Sequence, residues 1–214
     1  VNYLAHSLPF VFGDDALTCW RVAGTALPDW LRVIDKAARL RPDVLDRANV
    51  DDERHRALHD GARRHHDDDV RFHRHDDFEA LTAWLTTELR ARFPHLRASA
   101  VAHVLVEMLL DAALIDEHPK LLERFYAAVA AIDDAVVAGF VRATTGRPVP
   151  HAEIFLDRFR RARFLAHYVD DEGLHGCLRG VWRRAGLGSI DDGVVDVIAL
   201  ARPRVRALVH TIRW

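Results

Sequence analysis

The chain has 214 residues, half of them hydrophobic and 29% charged, with a formal net charge of −2 and a pI near 6.7. It is long enough to bury a real core within one domain, and it lacks the basic surplus that coating nucleic acid or an anionic membrane requires. The unusual number is 14 histidines, the residue type that most often ligates transition metals and moves protons near neutral pH.

The opening VNYLAHSLPFVFG has no basic start and no small-residue cleavage site behind a long apolar run. Elsewhere, charge interrupts the apolar stretches every few residues. The expectation is a cytoplasmic protein with no membrane partner and no nucleic acid partner. Cys19 and Cys177 form no motif and are expected as buried thiols rather than a disulfide.

Residues 15–39 carry apolar positions at helical intervals, with Pro28 expected to break or kink the helix. Next comes RRHHDDDVRFHRHDDF, residues 63–78, in which 13 of 16 side chains are His, Asp or Arg. Residues 79–93 set Leu81, Trp84, Leu85, Leu89 and Phe93 on one stripe, and 98–115 and 120–143 read as two further helices separated by DEHPK. TTGRPVPHAE, 144–153, is the clearest loop. Helical spacing resumes over 153–168, 171–186 and 191–214, with AGLGS as a break. Strand-like alternation, repeats and long linkers are all missing, so the reading is all-α, a single helical domain over 1–214. Trp20, Trp30, Trp84 and Trp182 are expected as core anchors, and His95, His118 and His151 as loop residues.

Between Val101 and Ile115 the polar side chains are His103, Glu107 and Asp111, spaced i, i+4, i+8. Each step of four residues drifts only about 40° around a helix, so all three share one stripe of an otherwise apolar helix. Buried carboxylates are costly unless paired or bound to a metal. Taken as a helix, 63–78 offers His65, Asp69 and His73 at the same spacing, with Val70 and Phe72 pressing on neighbours and His66, Asp67 and Asp68 pointing elsewhere. Two such stripes facing one another would supply mixed nitrogen and oxygen ligands, which suit manganese, iron or zinc better than calcium. The plain alternative is that both stripes are solvated faces.

On these and other residues the chain resembles the acyl carrier protein phosphodiesterase family, a helical group similar to the HD-domain phosphohydrolases. NYLAH (2–6) resembles the family's opening Asn-aromatic-Leu-Ala-His. AGTALPDWLR (23–32) is similar to its Gly-x-Leu-x-Ala-Asp-Phe segment and places Asp29 on the family's Asp. GARRHHDDDVRFHRH (61–75) puts His65, Asp69 and His75 on matching positions. Asp111 falls on the Asp of an Asp-His pair whose His is Ala112 here, Glu107 replaces an Asp one turn earlier, and His73 stands where the family has Asp. The segment 161–187 is similar to the family's late helix pair.

The resemblance implies an HD-domain-like helical bundle, a divalent metal and hydrolysis of a phosphodiester. In the family the substrate is holo acyl carrier protein, which releases 4′-phosphopantetheine. The departures suggest altered substrate or metal chemistry. The expected ligand pool is His6, Asp29, His65, Asp69, His103, Glu107 and Asp111, holding one or two ions of manganese or iron, with zinc also admitted. His73 and His75 are expected as supporting residues or a general acid, and Arg64 (or Arg71) as a phosphate contact. The partners expected are a phosphodiester substrate and a carrier protein that presents it. Two rivals stand beside this reading: a helical di-iron or iron–manganese oxidase or oxygenase, which uses similar ligands but with a Glu-x-x-His motif missing here, and a non-catalytic helical binding protein.

Overall fold

The structure, a computed structural model, describes residues 2–211. Among these residues the all-α expectation holds: there are eleven α-helices and one 3₁₀ helix, and no strand. The helices are α1 (Tyr3–Val11), α2 (Thr18–Ile34), α3 (Pro42–Asp46), α4 (Glu53–His73), α5 (Asp76–Arg92) and α6 (Ala98–Glu117). They continue with α7 (Leu121–Ala131), α8 (Asp134–Thr145), α9 (Ala152–Ala162), the 3₁₀ helix Phe164–Val169, α10 (Asp171–Arg184) and α11 (Val194–Val209).

Several boundaries differ from those expected. Helix α2 runs unbroken through Pro28. Proline donates no amide hydrogen and its ring crowds the carbonyl four residues back, here that of Gly24, yet the helix continues past this one lost bond. The helix expected over 120–143 divides at Ile132 and Asp133, because the Asp133 carboxylate accepts a hydrogen bond from the Ala135 amide and starts α8 anew. The run at 63–78 is helical only to His73, and α5 begins after His75. Helix α1 had no expected counterpart, and the final expected helix reaches beyond the described residues.

The chain forms two compact units, each discontinuous in sequence. Among the described residues the first contains 2–5, Val70–Pro119 and 164–211. Its centre is α6, where every residue from Leu105 to Leu114 is buried, and which packs against α5, α11 and the 3₁₀ helix. By length and composition α6 could cross a membrane, but most of it is covered by protein. Such burial makes Glu107 and Asp111 conspicuous, since nearly all their neighbours along the helix are apolar.

The second unit contains His6–Asp69 and Lys120–Arg163. Helix α2 packs on α7, and α9 packs on α7 and α8. Arg160 locks that corner, donating to the Val129 and Ile132 carbonyls and to Asp134. Helices α2 and α4 meet backbone to backbone. A Cβ added at Gly61 would lie 2.2 Å from the Arg21 carbonyl oxygen, and one at Gly24 would lie 2.3 Å from that of Leu58. Glycine is the residue that permits such an approach.

Of the tryptophans, Trp20, Trp30 and Trp182 are buried as expected, while Trp84 is half-buried beneath the Arg204 guanidinium. Cys19 and Cys177 are both free and partly buried.

Candidate metal centre

The close crossing of α2 and α4 has a chemical consequence one turn further on. His65 follows Gly61 by four residues, and Thr25 follows Gly24 by one. The crossing brings the Thr25 carbonyl to 2.9 Å from His65 Nδ1. A carbonyl can only accept, so Nδ1 carries the proton and Nε2 presents its lone pair. That lone pair lies 3.4 Å from Asp69 Oδ2. A neutral imidazole nitrogen and a carboxylate oxygen repel at this distance unless a proton or cation lies between them.

His6 completes the group. Its Nε2 is 3.3 Å from Asp69 Oδ1, its Nδ1 is 3.7 Å from Asp68 Oδ2, and its ring centroid is 4.2 Å from that of His65. Both ring nitrogens are buried and neither makes a hydrogen bond. The carboxylates are near enough to attract a charged ring but are off hydrogen-bond geometry. His6, His65 and Asp69 each offer one atom, and these atoms lie within 4.8 Å of one another. The donor set suits a divalent transition metal, and the carbonyl behind His65 is the usual support for a metal-binding histidine.

Electrostatics sharpens the picture. Burial works against charge on His6, but Asp68 and Asp69 outweigh it and raise the ring to about 9. His65 is pushed down to about 4, first by burial and then by the charge on His6. Asp68 is buried; burial alone would raise its carboxyl, but His6 and Arg64 hold it below the ordinary range. Arg64 donates from Nε to Asp68 at 2.7 Å, while its Nη2 is buried without a hydrogen-bond partner.

A second group lies in the other unit. His73 Nε2 and His103 Nε2 are each 3.2 Å from the same oxygen of Glu107, Oε1. Their rings are 4.6 Å apart, centroid to centroid. Glu107 is buried and the two histidines are partly exposed. Helix α4 thus gives His65 and Asp69 to one group and His73 to the other.

The remaining expected site residues are accounted for individually. Asp29 is buried on α2 one turn beyond Thr25, close enough for its charge to favour protonation of His65. Asp111 is fully buried, and both its oxygens accept from the Leu4 amide, with Oδ1 also accepting from Ala5. It therefore caps the first turn of α1. His75 belongs to neither group; its Nδ1 is 3.8 Å from Asp77 at the start of α5.

Two expected orientations are corrected and one holds. Asp68 is not turned away but lies beside His6; its i, i+4 spacing signals only the pairing with Arg64. His66 points away from the ligand groups as expected, its ring donating to the Leu40 carbonyl. Val70 is exposed, leaving Phe72 as the residue that packs inward.

No family model, no curated protein and no solved structure matches the chain.

Proposed function

We propose that the chain is a metal-dependent hydrolase of phosphodiesters, with His6, His65 and Asp69 as ligands. One observation carries this reading: a buried imidazole, His6, has two nitrogens without hydrogen bonds beside a second imidazole and a carboxylate. Buried polar atoms are rarely left unpaired, and two histidines with one carboxylate is a donor set used by catalytic zinc sites that keep a position open. When bound, a divalent ion would polarise a phosphoryl oxygen and lower the pKa of a water.

The chain's own residues supply the rest. Thr25 fixes the His65 tautomer, so Nε2 faces inward. Asp68 holds Arg64, whose free Nη2 donors provide fixed positive charge for a non-bridging phosphate oxygen. Asp29 adds negative charge near His65 and favours a cation there. The resemblance to the acyl carrier protein phosphodiesterases supports a phosphodiester substrate, with Ala112 marking where this chain departs from that family's chemistry.

The test strips the full chain with chelator and reloads it separately with manganese, iron and zinc. Hydrolysis of bis(4-nitrophenyl) phosphate and release of 4′-phosphopantetheine from holo acyl carrier protein are then measured. Metal-dependent turnover, lost in His6→Asn, is expected. Absence of turnover with every metal overturns the reading. The same donor set also serves iron(II) oxygenases, so iron-dependent oxygen uptake without hydrolysis would favour that second reading.

A further inference from the structure

The His73, His103 and Glu107 group has the same donor types as the first but differs in how they are exposed to solvent. The first group buries both imidazoles. Here the carboxylate is buried, with a relative exposure of 5%, while the side chains of His73 and His103 are 32% and 40% exposed. Two imidazoles crowd one carboxylate oxygen at 3.2 Å each.

Phe78 braces both rings, 5.3 Å from His73 and 5.5 Å from His103 between centroids. Its edge-on packing against His103 leaves that ring little freedom to turn away. A groove of about 560 Å³ opens beside the two histidines, bordered by Phe78, Thr82, Thr86 and Arg90. The Thr82 hydroxyl oxygen is buried and has no hydrogen-bond partner.

We infer that His73, His103 and Glu107 form a second, independently loaded site for a divalent transition-metal ion at the edge of this groove. Two borderline nitrogen donors and one hard oxygen favour zinc, cobalt or nickel over magnesium or calcium. Three protein ligands leave coordination positions open, and these face the groove, where water or a small anion attracted by Arg90 completes the shell. The exposed histidines make this the faster-exchanging of the two sites. Its existence does not depend on the hydrolase reading, which rests on His6, His65 and Asp69.

Cobalt titration of the chelator-stripped full chain tests the site, with visible d–d absorbance and dialysed stoichiometry as readouts. Wild type should bind two equivalents. His103→Gln, a change at a partly exposed position, should bind one and lose one of the two spectral components. Glu107→Gln should do the same. His6→Asn should lose the other component and retain this one. A wild-type stoichiometry of one that His103→Gln leaves unchanged overturns the second site. Retention of two equivalents and an unaltered spectrum in both variants overturns it as well. A wild type that binds one equivalent, lost in His103→Gln and kept in His6→Asn, would count against the hydrolase centre and leave this inference standing.

Discussion

His6 and His65 stack with ring centroids 4.2 Å apart, both almost wholly buried, and their surroundings drive them to opposite charge states. His6 stands between Asp68 and Asp69 and holds its proton to about 9. His65, buried and beside that charge, gives up its second proton at about 4. A protonated His6 therefore supplies positive charge between the two carboxylates. An arriving metal would take over the charge that this proton supplies to Asp69.

The pair gives the metal-free protein a two-sided pH profile. His6 is raised above its unfolded value of about 6.5, so its contribution to stability is complete below that pH and is lost as pH rises toward 9. His65 is lowered, so its contribution is complete above about 6.5 and is lost as pH falls toward 4. Urea unfolding in the presence of chelator, from pH 5 to 9, should show both losses. His6→Asn should remove the alkaline one; an alkaline slope unchanged by that substitution would contradict the charge assignment.

Asp68 and Asp69 are neighbours in sequence with different roles. Asp69 offers an oxygen to the ligand group, whereas Asp68 stands behind His6 and ties down Arg64. Asp69→Asn should abolish binding of one metal equivalent. Asp68→Asn should keep the stoichiometry and weaken affinity by about 10- to 100-fold, the usual effect of losing a group that orients a ligand. Competition titrations against a chromophoric zinc chelator separate the two outcomes. Equal losses would make Asp68 a ligand.

Much of this was legible in the residues, and the reasons are local. The i, i+4 spacing of His65 and Asp69, and of His103 and Glu107, survives folding because each pair lies within one helix and needs only helical geometry. The third member of each group was harder to place. The 63–78 stripe was expected to act as a unit, yet His73 joins His103 and Glu107 while His65 and Asp69 join His6. Spacing shows which residues share a face of one helix; it is silent on which other helix meets that face at each turn. Asp111 shows the same limit. Its register matched a ligand, but the nearby first turn of α1 presented unpaired amides, and they took its oxygens.

Asp111 should accordingly behave as a structural residue. Replacing it with alanine leaves the buried Leu4 and Ala5 amides without their acceptor, and each unsatisfied buried donor costs about 1–3 kcal/mol. Asp111→Ala should lose roughly 2–4 kcal/mol of unfolding free energy, while the folded fraction binds cobalt with the wild-type stoichiometry. Loss of one equivalent from protein that remains folded by circular dichroism would return Asp111 to the ligand set.

The glycine crossing supports the metal centre more indirectly, and its prediction has an unusual sign. Alanine normally stabilises a helix interior by about 1 kcal/mol relative to glycine. Gly176, on the exposed side of α10 with no atom within 4 Å of an added Cβ, should follow that rule, and Gly176→Ala should raise stability by about 0.5–1 kcal/mol. Gly61→Ala places its methyl 2.2 Å from the Arg21 carbonyl oxygen and 2.8 Å from the Gly24 Cα, all backbone that no rotamer change can move aside. Overpacking of this kind costs about 1–3 kcal/mol, enough to cancel the helical gain and lower the melting temperature. The helices must then separate, which draws the Thr25 carbonyl away from His65 Nδ1 and frees the ring to turn. Gly61→Ala should therefore weaken metal binding at the His6 group as well as stability, while Gly176→Ala leaves binding untouched. If Gly61→Ala destabilises the fold with unchanged metal affinity, the carbonyl is not what holds His65 in its ligand orientation.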